Sequence, residues 1–116
     1  MNNVDEVLAL MESTRAKYFP ELTDIAFEIE KTTDFDGVAA RVIFGSSAKV
    51  ILYYSDDRII EPRYRMGLVP IIAHELGHLI DPVNPDQVVA ERLPVRMVKL
   101  WDKLRRTEVA QCSMDG

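Results

Sequence analysis

Apolar side chains at Val4, Val7, Leu8, Met11 and Tyr18 recur at the three-to-four-residue spacing of one helical face, and Asn3 followed by Glu6 resembles a capping box. This predicts a helix over about residues 4 to 18, closed by Phe19-Pro20. The period then changes to two. Ile25, Phe27 and Ile29 alternate with Ala26, Glu28 and Glu30, as in a strand with one buried face. Two more strands are predicted over Val38 to Phe44 and Ala48 to Tyr54, both rich in β-branched and aromatic residues. Gly45-Ser46-Ser47 reads as the hairpin turn between them, and Asp36-Gly37 as the turn before them.

After Ser55-Asp56-Asp57 the helical period returns, and a helix is predicted from between Pro62 and Pro70 to about Ile80. Asn84-Pro85-Asp86-Gln87 then offers an N-cap, a proline at the first helical position and a capping-box glutamine. A final helix follows to about residue 107, with Val89, Leu93, Met97, Leu100, Trp101 and Leu104 on its apolar lane and Pro94 bending it. The order of elements predicts an α+β fold: an N-terminal helix, a three-stranded, mostly antiparallel sheet, a central helix and a C-terminal helix. No repeat, linker or low-complexity stretch divides residues 1–116, so a single domain is expected.

Composition narrows the functional classes. With 47% apolar and 28% charged residues the chain has the make-up of an ordinary globular protein, and 116 residues suffice for a core without metal or disulfide staples. A bound metal is therefore expected to be functional rather than structural. The net charge of -5 argues against nucleic-acid partners, which require a clustered basic surface. No apolar run reaches membrane-spanning length and the start lacks the features of a secretory signal, so a cytoplasmic location with no membrane partner is expected. The single cysteine, Cys112, cannot form an internal disulfide.

Chemistry concentrates in Ile71 to Ile80. Residues four apart lie one turn above each other on a helix, so His74 and His78 can offer two imidazole nitrogens to one Zn²⁺. Glu75 flanks that site and is placed to hold the metal's water as a general base. Leu68, Ile72, Leu76, Leu79 and Ile80 fall opposite the histidines, which predicts a buried back and a histidine face lining a cleft. Both histidines of the chain are used in this motif, so a third metal ligand has to be a carboxylate, with Glu91, Asp81 and Asp86 as candidates. If the last two helices form an antiparallel hairpin centred near Val83, positions from about 88 to 92 stand level with the histidines, which favours Glu91. Asp81 could instead hold a ligand imidazole or cap the helix end, and Asp86 lies nearer the turn.

His74-Glu-Leu-Gly-His-Leu-Ile-Asp81, preceded by strands and followed by a helix bearing an acidic residue, resembles the small zincins, in particular the ImmA/IrrE-like and SprT-like metallopeptidases and minimal gluzincins. The likeness covers residues from about 24 to 104, and Ile71 to Asp81 is its specific part. It implies a zincin-like domain that hydrolyses peptide bonds, with zinc on His74 and His78, Glu75 as the general base and Glu91 at the position of the gluzincin third ligand. A peptide or protein substrate is implied along an edge strand, placed at Ala48 to Tyr54. The interval from His78 to Glu91 is shorter than usual, and Pro94 stands where a small residue is common. A regulatory or protein-binding module that cuts nothing is the competing expectation. A metal-free interaction protein and a latent peptidase, with Cys112 or Asp115 of the tail reaching the metal, are the others.

Overall fold

In the computed structural model the backbone is described for residues 2–33, 38–45, 47–107 and 110–115, and the side chains for residues 2–33, 40–45 and 47–104. The first helix, α1 (Asn3–Tyr18), starts one residue earlier than the capping-box reading placed it. Asn2 is the N-cap, and its side chain accepts the Asp5 amide at 2.8 Å. Strand β1 (Ala26–Lys31) follows, then the hairpin of β2 (Val38–Ile43) and β3 (Lys49–Tyr54). The predicted Asp36-Gly37 turn lies outside the described residues. Two short, tight helical turns, Asp57–Ile60 and Pro62–Tyr64, lead into α2 (Arg65–Ile80). After it come α3 (Pro85–Arg92), α4 (Val95–Thr107) and a last strand, β4 (Ala110–Asp115).

The fold is α+β with an N-terminal helix, a central helix and a helical C-terminal region, as the pattern predicts, although strand β4 follows the last helix. The sheet differs from the expected three-stranded, mostly antiparallel one: it has four strands, in the order β1-β3-β2-β4, and is mixed. β2 and β3 pair antiparallel, whereas β1 lies parallel to β3 and β4 parallel to β2. Strand β3 is therefore interior, hydrogen-bonded on both sides, and the edge-strand role expected for Ala48 to Tyr54 is corrected. Local alternation identifies a strand but carries no information about its neighbours, and here β1 takes the side of β3 that a simple meander would leave open. The burial of Val50, Ile51, Leu52 and Tyr54 suits an interior strand.

The helices share one face of the sheet. Val50, Leu52 and Tyr54 of β3, with Ala40 and Val42 of β2, join Val7 and Met11 of α1 and Leu68, Val69, Ile72 and Leu76 of α2 in one core. On the other face the Arg41 guanidinium lies over the Tyr53 ring. At the helix starts, the Arg65 guanidinium pairs with Glu6 and donates to Asn3 at 2.8 Å, tying α2 to α1. At the far end Arg92 of α3 donates to the Tyr18 carbonyl at 3.1 Å and to Glu21 at 2.8 Å.

The predicted C-terminal helix is two helices. Pro94 has no N–H to donate and disfavours helical geometry at Leu93, so α3 ends at Arg92 and α4 restarts at Val95. Helix α2 is enclosed by α1, α3, α4 and the sheet, and all residues from Leu68 to His78 are buried. Among the described residues no helix is long and apolar enough to cross a membrane.

Candidate metal centre

The sequence from Leu68 to Ile80 carries only one acidic residue and no Lys or Arg, which is why α2 can run through the middle of the helical layer. Burying two imidazoles and a carboxylate there is costly unless each finds a polar or ionic partner. His74 and His78 meet edge to face, with ring centroids 4.7 Å apart and planes at 83°. Candidate ligand atoms of His74, Glu75 and His78 all lie within 4.8 Å of one another. Two nitrogens and one carboxylate oxygen converging in this way match the donor chemistry of a Zn²⁺ site, so this buried group could hold a metal ion.

The histidine face does not line an open cleft. His74, Glu75 and His78 are 8%, 0% and 7% exposed, because α3 and α4 fold back over them. Asp86 of α3 places Oδ1 2.8 Å from His74 Nδ1. The same oxygen accepts the indole N–H of Trp101 of α4 at 2.7 Å. The indole also packs on the imidazole of His74, centroid to centroid 4.9 Å. Burial pushes the His78 imidazole below its usual range, and the Pro82 backbone and the charge of Asp86 oppose that effect only in part. A neutral imidazole is the form that binds a metal.

Where α3 docks is decided at Gly77. A Cβ there would stand 2.9 Å from the Pro85 carbonyl oxygen, too close for any side chain. The first turn of α3 therefore sits directly on α2 between the two histidines in sequence, and Asp86, the next residue, arrives at His74.

Of the three carboxylates considered from sequence, the structure brings only Asp86 to the histidines. Glu91 is exposed and accepts a hydrogen bond from Gln87 at 3.0 Å, outside the histidine group. Helix α3 turns Pro85, Val88 and Val89 inward, so position 91 falls on its outer face, and the assignment of Glu91 as third ligand is corrected. Asp81 caps the end of α2, accepting the amides of Val83 and Asn84 at 3.1 Å each. Among the tyrosines near the helix, Tyr54 is a core residue and Tyr64 is exposed, its ring against Arg63. Side chains of the tail, including Cys112 and Asp115, lie outside the described residues.

Trp101 is the residue that the sequence did not single out as functional; it reads there as one more apolar lane position. Its signal was available in principle, because a buried indole N–H needs an acceptor and Asp86 is the first carboxylate of the preceding helix. Compared with family models, with curated proteins and with solved structures, the chain matches none.

Proposed function

We propose that this protein is a metal-dependent hydrolase acting on peptide bonds, with zinc as the metal, His74 and His78 as ligands and Glu75 as the general base. The observation that carries the proposal is the convergence of His74, Glu75 and His78 in one buried group on α2. When bound, zinc would supply Lewis acidity toward a scissile carbonyl and toward water. Glu75, the residue after His74, is the carboxylate available to take a proton and return it to a leaving amine.

Glu75→Gln tests the assignment. The amide keeps the shape and removes the base, so zinc should stay bound at one per chain while chelator-sensitive cleavage of a peptide mixture falls by several orders of magnitude. Loss of the zinc itself would make Glu75 a ligand instead, and cleavage at the original rate would remove it from the chemistry. A second reading is favoured by the burial of all three side chains beneath α3 and α4: a regulatory or protein-binding module in which metal stabilises the helical layer and no bond is cut. Stoichiometric zinc in a protein that cleaves no peptide under any condition tried, and that melts at lower temperature with chelator, is its expected signature.

A further inference from the structure

We infer that Asp86 and Trp101 act as a clamp that holds the imidazole of His74 in the tautomer with hydrogen on Nδ1, presenting Nε2 as the metal-binding nitrogen. The inference rests on the reading of His74 as a metal ligand and adds to it which nitrogen binds and which residues decide that.

The tautomer follows from counting donors. The indole nitrogen can only donate, so Asp86 Oδ1 is an acceptor at its 2.7 Å contact with Trp101. The same oxygen meets His74 Nδ1 at 2.8 Å. A bare Nδ1 there would set lone pair against lone pair, whereas Nδ1–H gives the carboxylate its second hydrogen bond. The lone pair of the ring then belongs to Nε2. A carboxylate behind a ligand imidazole also raises the basicity of the opposite nitrogen.

Three features keep the clamp in place. Pro85 is seated on Gly77, which fixes the start of α3 and so the position of Asp86. Asp86 lies in the first turn of α3, where the helix dipole favours a carboxylate. The Trp101 ring covers His74 at 4.9 Å and is itself buried, so the imidazole has little freedom to rotate. Three helices thus meet at one side chain: α2 supplies the imidazole, α3 its acceptor and α4 the group that orients the acceptor.

The test uses the whole chain and the variants D86A, D86N and W101F. With only two histidines in the sequence, nitrogen NMR of the imidazoles resolves each ring. In metal-free wild type His74 should show the Nδ1–H tautomer, and D86A should show a mixture of the two. Competition with a coloured chelator should then give a loss of zinc affinity of roughly 10–100-fold for D86A, and smaller losses for W101F and for D86N, whose amide oxygen can still accept. If D86A does not fold, D86N and W101F carry the comparison. Unchanged tautomer and affinity across the variants would overturn the inference, as would added zinc shifting Nδ1 of His74 instead of Nε2. A wild type that binds no zinc removes the metal reading, and the tautomer of the metal-free protein still decides whether the clamp exists.

Discussion

Gly77 has the strictest steric requirement among the glycines near the site. Its missing side chain lets the Pro85 carbonyl approach to a distance at which a methyl group would be 2.9 Å away, and the atom in the way is backbone, which cannot swing aside. Gly77→Ala should therefore destabilise the fold by about 1–3 kcal/mol despite alanine's better helix propensity, the typical cost of overpacking. Urea denaturation checks this, and a stabilised variant would show that α3 can move off α2 at no cost. The same position explains what the sequence could and could not say about the site. His74, Glu75 and His78 were legible because their relation is set by one helix turn, a local rule. Asp86 was underrated because a symmetric hairpin about Val83 sets the histidines level with positions from 88 to 92. The glycine seat instead draws the first turn of α3 in tightly, so that the first carboxylate of α3 reaches back to His74.

At the level of elements, α3 is held at both ends, by Pro85 on Gly77 and by Arg92 at the far side of α1. The Arg92 guanidinium holds the Glu21 carboxyl down at about 2, against an ordinary 4.5, and lies over the Phe19 ring. A carboxyl depressed in the folded state contributes stability above its unfolded value, and that contribution fades as pH falls from about 4.5 toward about 2. Glu21→Gln should accordingly narrow the difference between urea midpoints measured at pH 7 and pH 3. An undiminished difference would mean that other carboxylates dominate the acid limb. Since Glu21 is on the surface, the effect should also shrink in high salt. The break between α3 and α4 belongs to this level too: Pro94 was recognisable as a disturbance, but whether a proline bends a helix or ends it depends on what the flanking segments pack against. Here Leu93 and Met97 are both buried, and two short helices satisfy both where one curved helix would not.

Across the whole molecule, strands were legible and their order was not. Alternating residues mark a strand through contacts within a few positions, while neighbours in a sheet are chosen by packing between segments far apart in sequence. Thus β1 pairs with β3 in register from Ala26 opposite Lys49 to Lys31 opposite Tyr54, skipping β2. The outer side of β2 is taken by β4, from Val38 opposite Ala110 to Ile43 opposite Asp115. Removing residues 108–116 should leave that backbone edge unpaired, and such edges recruit other chains. Size-exclusion chromatography should show more self-association for the shortened chain than for the full chain. A monomeric truncated chain would mean that other parts of the molecule protect the edge.

Trp101 is the chain's single tryptophan, and it stands 4.9 Å from His74 with its N–H on the carboxylate behind that ring. The protein's ultraviolet emission therefore comes chiefly from one point, at the centre of the three-helix junction. Protonation of His74, binding of a metal at its Nε2 or withdrawal of α4 would each alter the surroundings of that indole. Adding Zn²⁺ should shift or change the intensity of the emission in wild type and leave it unchanged in His78→Ala. A silent titration in a protein that chemical analysis shows to be loaded would place the metal elsewhere. An unlabelled sample in a cuvette can thus report binding at this site in real time.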